Sequence, residues 1–178
     1  MKPSATEDTE DTEGKPDTLT ASQNLNMTVR VQTEDFDIGA EIGTLRRGNS
    51  KIGAVASFVG VVRDVNDGDP VAEMTLEHYP GMTEKLIEEI IIQARGRWQV
   101  MDALVVHRVG TLKPADQIVL VVVTSGHRGH AFAACEFIMD YLKPRAPFWK
   151  TETAGAGARW VEARESDDIA AERWRLKG

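Results

Sequence analysis

The chain reads as an α+β protein, with a mixed or antiparallel sheet and two main helices. Two observations predict this. Strand-like runs follow one another without an intervening helix at 53–79 and again at 102–124. Only two stretches, 80–98 and about 131–142, have the length and apolar periodicity of long helices. A doubly wound sheet would need regular strand–helix alternation, which those strand runs break.

Each element has its own warrant. MTVRVQ, residues 27–32, alternates and reads as a first strand. Residues 35–47 carry Ile38, Ile42 and Leu45 at i, i+4, i+7 and meet Gly48, a short amphipathic helix with a glycine stop. GAVASFVGVV, 53–62, is apolar and β-branched, a buried strand. RDVNDGDP, 63–70, is a polar turn-rich loop. Residues 71–79 return as a strand, with Met74, Leu76 and His78 on one side and Glu73, Thr75 and Glu77 on the other. Residues 80–98 form the strongest helix, with Pro80 in its first turn. Its apolar face is Met82, Leu86, Ile87, Ile90, Ile91 and Ala94. Residues 102–109 and 117–124 are strands joined by a Leu-Lys-Pro-Ala-Asp turn. A glycine-flanked loop, SGHRGH, precedes the helix at 131–142. Strands at 148–153 and 159–163 flank AGAGA, and the polar end from Arg164 is a short helix or frays.

The chain has 178 residues, 42% of them apolar, and a net charge of −7. Most of that charge sits in residues 1–26, where Lys2 and Lys15 face six acidic side chains and no aromatic residue occurs. Such a segment buries too little apolar surface to offset its ordering entropy, so 1–26 is expected to be a disordered acidic tail and 27–178 a single domain. The tail has neither an apolar core, as in a secretory signal, nor the acid-poor character of a transit peptide. The mildly acidic remainder argues against general nucleic-acid binding. No apolar run approaches the ~20 residues of a membrane span. Cys135 is the only cysteine, which fits a reducing, cytoplasmic setting.

Five places carry possible chemistry. Cys135 shares an apolar helix face with Ala131, Ile138 and Leu142, so it reads as a small core residue rather than a catalytic thiol. His127 and His130 have metal-like spacing, but a zinc site needs three or four ligands and no acid or cysteine adjoins them. His127-Arg128 at a helix start suits a phosphate or carboxylate, since free backbone N–H groups and a guanidinium both attract anions. An ordinary loop with a surface arginine explains the same residues equally well. Arg63 opens a loop after a buried strand and gains weight only if the fold brings it near that pair. In YLKPRAPFWKTE, 141–152, Pro144 pushes Lys143 out of helical geometry, and a lysine at a helix end also complements the dipole. Strand alternation sets Lys150 opposite Trp149; with Trp149 in the core, Lys150 would point outward.

FVGVVRD (58–64), LEHYPGMTEK (76–85), HRVGTL (107–112), VTSGHRGHAF (123–132), FIMDYLKPRAPFWKTE (137–152) and RWVEARESD (159–167) together resemble the MoaE family, the large subunits of molybdopterin synthase. The resemblance runs from about residue 27 to 174. It implies an α/β-hammerhead core. It also implies an enzyme of molybdenum cofactor biosynthesis, which builds the dithiolene of molybdopterin on cyclic pyranopterin monophosphate (precursor Z). Both sulfurs come from a small ubiquitin-like subunit with a C-terminal Gly-Gly thiocarboxylate. The expected assembly is a heterotetramer around a homodimer of large subunits. This chain ends LKG, so the sulfur carrier is expected to be a separate protein. Matched by position, Lys143 is the catalytic lysine and Lys150 the second pocket lysine. Substrate contacts fall on Val61, Val62, Arg63, His127, Arg128, Lys143, Lys150, Thr151 and Glu152. Val61 departs from the basic residue common at that place, so it offers only backbone. No metal and no cofactor are expected. Both reactants are anions, which suits a cationic pocket. Two other readings fit a basic groove: a non-catalytic module docking a ubiquitin-like tail, and a phosphate-binding hydrolase using His127 and His130.

Overall fold

A computed structural model describes residues 27–66, 69–154, 157–160 and 165–175. The acidic segment 1–26 lies outside the described residues. In chain order the elements are β1 (Met27–Gln32), α1 (Ile38–Arg46), β2 (Ala54–Val61), β3 (Val65–Asn66), β4 (Asp69–Pro70), β5 (Glu73–His78) and α2 (Met82–Arg97). Then come β6 (Asp102–Arg108), β7 (Gly110–Leu112), β8 (Gln117–Ser125), α3 (Arg128–Arg145), β9 (Phe148–Ala154), β10 (Gly157–Trp160) and α4 (Glu165–Glu172).

The strands form two main sheets rather than one. The first has order β1-β6-β8-β2, with β1 parallel to β6 and the other pairs antiparallel. The second, β10-β9-β5-β7, is antiparallel throughout. The class is therefore α+β with mixed and antiparallel pairing, as the strand runs indicate, and α2 and α3 are its two main helices.

The first sheet is covered on both faces, which explains the unbroken apolar runs of β6 and β8. Ala103, Val105, Val121 and Val123 turn toward Ile87, Ile90, Ile91, Ala94, Phe137 and Ile138 of α2 and α3. Their alternate neighbours Leu104, Val106, Leu120 and Val122 turn the other way, onto Phe36 and the Ile38, Ile42 and Leu45 stripe of α1. Period-2 alternation puts successive side chains into two different cores.

Several boundaries moved for physical reasons. Pro80 is not in the first turn of α2. Gly81 takes φ 80° as the cap, Glu84 accepts from its backbone N–H at 2.7 Å, and the helix begins at Met82. The polar loop at 63–70 contains a two-residue ladder, β3 against β4. The link between β6 and β8 is more than a turn: Gly110 at φ 85° swings the chain out so that β7 pairs with β5 in the second sheet. Helix α3 starts three residues earlier than its apolar periodicity and runs through Pro144 to Arg145. Lys143 is therefore helical, contrary to the expectation from Pro144. A proline in the last turn removes only its own N–H donor, while Ala146 still donates to the Leu142 carbonyl at 3.0 Å. The last expected strand, 159–163, is seen as β10; residues 161–164 lie outside the described residues. The polar end forms α4, and Trp174 after it is buried against Trp98 and Phe137.

Candidate active site

The two sheets meet just past the end of β2 and at the start of β8, where Val62 and Ile118 pack on Met74, Leu76 and Leu112, and α3 ends beside the junction. A cavity of about 420 Å³ opens there. The strand β2 brings Val61, Val62 and then Arg63 to its rim; the C-terminal turn of α3 brings Lys143; β9 brings Lys150. Three cations drawn from three elements thus share one cavity. Its walls are apolar, including Met74, Ile118, Met139 and Leu142. Electrostatic attraction for an anion is stronger beside such walls than in open water.

Lys150 points inward because Trp149 does not. Trp149 is 43% exposed, so alternation along β9 gives the cavity side to Phe148 and Lys150. Lys150 would point outward only with Trp149 in the core, and Trp149 is exposed. Backbone pairing sets Lys150 opposite Leu76 and Phe148 opposite His78, which fixes the register.

Arg63 donates to the Asn66 side-chain carbonyl at 3.2 Å, and buried Asn66 also lines the cavity. Lys143 sits half-exposed, with its Nζ 3.4 Å from Asp167 Oδ1 on α4. On the β6 side is His107, buried and stacked face to face on Phe148 with ring centroids 3.7 Å apart. Its Nδ1 lies 2.8 Å from the Arg108 carbonyl, which makes Nδ1 the protonated nitrogen. Burial pushes its pKa down to about 4, against the pull of that carbonyl and with a smaller push from His78. His107 is therefore a neutral wall among cations.

Of the positions carried over, Val61, Val62, Arg63, Lys143 and Lys150 line the cavity. Thr151 follows Lys150 on β9, half-buried, in register with Thr75 and Trp160. Glu152 pairs with Met74 through its backbone, and its side chain lies outside the described residues. His127 and Arg128 do not reach this cavity. They are exposed at the N-terminus of α3, and Lys143 is near its other end. The rise of about 1.5 Å per residue puts the two ends roughly 22 Å apart. Arg63 consequently does not join the His127-Arg128 pair within one chain. The rings of His127 and His130 stand edge to face, 6.2 Å apart, and among the described residues no group of three or more potential metal ligands gathers. Cys135 is buried, and burial, helped by Glu136, pushes its thiol up to about 12. It stays protonated and is no nucleophile.

Reading the residues one by one missed His107, Asn66, Met139 and Asp167. His107 had a signal, the HRVGTL stretch, but its stacking partner comes from another sheet.

The fold and this cleft define a class: an α+β protein with a cation-rimmed, apolar-walled cavity and no usable thiol of its own. A family model described as MoaE protein matches residues 31–145. The chain is 66% identical over 147 residues to the molybdopterin synthase catalytic subunit of Ralstonia nicotianae, covering 83% of this chain and 84% of that one. The solved molybdopterin biosynthesis MoaE protein of Burkholderia ambifaria superposes with a TM-score of 0.73 at 57% identity, over 84% of this chain and 98% of that one. A molybdopterin synthase structure from Staphylococcus aureus gives a TM-score of 0.69 at 30% identity, over 75% and 96%. This chain belongs to the MoaE family.

Proposed function

We propose that this chain is the catalytic subunit of a molybdopterin synthase. It moves sulfur from the thiocarboxylated C-terminus of a small ubiquitin-like subunit to cyclic pyranopterin monophosphate, forming the dithiolene of molybdopterin. The observation that carries the site assignment is the meeting of Arg63, Lys143 and Lys150 on one cavity. The carrier's thiocarboxylate and the pterin's cyclic phosphate are both anions, and bringing them together needs fixed positive charge. Lys143 acts at the carrier's carbonyl carbon. Two carriers are consumed per dithiolene: at each transfer the carrier's C–S bond breaks, a C–S bond forms on the pterin side chain as a C–O bond there breaks and its oxygen leaves, and water supplies the oxygen that returns the carrier's tail to a carboxylate. Lys150 and Arg63 hold the phosphate. Val61 contributes backbone groups beside Val62, and Thr151 and Glu152 follow Lys150 on β9.

His127 and Arg128 complete the site from a second copy of the chain. Their place at the far end of α3 supports this, because one chain cannot fold its own helix back on itself. The homodimer within a heterotetramer then has a chemical purpose: each cavity borrows an anion-binding helix start from its neighbour. No described helix is long and apolar enough to cross a membrane. The proposed reaction and the single buried cysteine support a cytoplasmic setting.

The test combines purified chain, thiocarboxylated small subunit and precursor Z, and follows molybdopterin. Lys143→Ala is expected to slow formation by about 100-fold or more, the range for a lost proton-transferring or charge-stabilising group. A variant as fast as the wild type would remove Lys143 from the mechanism.

A further inference from the structure

We infer that Asp167, on the C-terminal helix α4, is a positioning residue for Lys143. This rests on the reading of Lys143 as the group acting at the carrier's carbonyl. The contact is direct: Asp167 Oδ1 lies 3.4 Å from Lys143 Nζ. The carboxylate is the less exposed partner, at 22% against 54% for the lysine side chain.

What holds α4 in place is the turn that follows it. Arg173 reaches Asp140 Oδ2 through Nη2 at 2.5 Å and Nε at 3.1 Å, and Glu136 at 2.6 Å. Trp174 donates its indole N–H to Asp140 Oδ2 at 2.7 Å, and Arg97 donates to the Trp174 carbonyl at 2.8 Å. Trp174 itself is buried between Trp98 and Phe137. These contacts dock α4 antiparallel to α3. Glu136, Asp140 and Lys143 follow one another along a single face of α3, at spacings of four and three residues. With Arg173 fixed on the first two, the start of α4 necessarily comes to lie over the third.

Asp167 is thus delivered to Lys143 by anchors that do not need it. An exposed ion pair adds little to stability, so the fold gives no reason for a carboxylate there. The reaction does. A lysine has a long flexible stem, and a misplacement of about 1 Å at a reacting group can cost as much as 100-fold in rate. Asp167 narrows the positions of the ammonium at the cavity mouth before the carrier's tail arrives.

The experiment is steady-state molybdopterin formation by the complete enzyme, with Asp167→Asn, Asp167→Glu, Asp168→Asn, Lys143→Ala and the Lys143→Ala/Asp167→Asn double variant. Asp168 is exposed on the same helix and serves as the control. Asp167→Asn is expected to lower kcat about 10-fold with the KM for precursor Z within about twofold, since the phosphate is held by other groups. Asp167→Glu recovers most of the rate, and Asp168→Asn changes nothing. In the Lys143→Ala background, Asp167→Asn has no further effect, because its target is gone. A wild-type kcat in Asp167→Asn overturns the inference. So does a loss of equal size in the wild-type and Lys143→Ala backgrounds. Wild-type enzyme that makes no molybdopterin would instead overturn the parent reading of the function. In that event ¹³Cε-lysine spectra of the same variants still test the contact: a Lys143 signal unmoved by Asp167→Asn shows that the pair does not form in solution.

Discussion

Lys150 and His107 show what neighbours do to a side chain. Lys150 is a cation on a strand, and its direction hangs on whether Trp149 or Phe148 takes the core. Phe148 does, because its ring finds His107 across the sheet junction at 3.7 Å. Neither histidine nor lysine announces this locally, since the stack joins β6 of one sheet to β9 of the other. The same burial makes His107 a pH sensor of stability. Its folded pKa of about 4 lies below the ordinary 6.5, so the unfolded chain binds this proton more readily between those values. The stabilisation it confers is complete above about pH 6.5 and is lost as pH falls toward 4, on the order of 3 kcal/mol over the whole window. Urea unfolding midpoints should therefore drop between pH 7 and pH 5, and His107→Phe, which keeps the stack and cannot protonate, should flatten that drop. An equally steep drop in His107→Phe would assign the effect to other groups.

At the scale of elements, α3 is the part that most shapes the site. Its apolar stripe, Ala131, Cys135, Ile138 and Leu142, was legible from spacing, and those residues are buried. Its ends were not legible, because termini are set by what they meet rather than by periodicity. The N-terminal end depends on Gly53. A Cβ there would lie 2.3 Å from the Gly126 carbonyl oxygen, so only glycine lets the start of β2 pass the loop that carries His127. Gly53→Ala should destabilise the protein by about 1–3 kcal/mol, the usual cost of overpacking. Gly43→Ala is the control: nothing lies within 4 Å of its would-be Cβ, and it sits in exposed α1. Removing that helical glycine should stabilise by about 0.5–1 kcal/mol. Thermal unfolding of the two variants would separate the cases, and equal midpoints would contradict the close approach at Gly53.

For the whole molecule, the decisive feature is that the two sheets meet at the end of β2 and the start of β8, where Val62 and Ile118 pack on Met74, Leu76 and Leu112. Each half alone is ordinary; the cavity exists only at their junction. The same geometry sets His127 and Arg128 apart from Lys143 within one chain, and on the proposed reading a second copy completes the site. Mixing tests this. Lys143→Ala and Arg128→Ala should each be slow alone. After subunit exchange, half the dimers are mixed, and each of those holds one intact cavity, so activity should return to about a quarter of wild type. Activity that stays at the level of the separate variants would place His127 and Arg128 outside the shared site.

The sequence by itself determined the class, most of the core faces and the inertness of Cys135, because period-2 and period-3.6 patterns record burial one element at a time; Met82, Phe58 and Val61, expected inside, are exposed because they sit at the start of α2 and on the edge strand β2. Its longer stretches also determined the family and pointed to Arg63, Lys143 and Lys150. Only the tertiary structure decided that Arg63, Lys143 and Lys150 share a cavity, that His107 is its neutral wall, and that Asp167 meets Lys143. Those are contacts between residues far apart in the chain, and local spacing carries no information about which surfaces the packing of two main sheets and four helices will bring face to face.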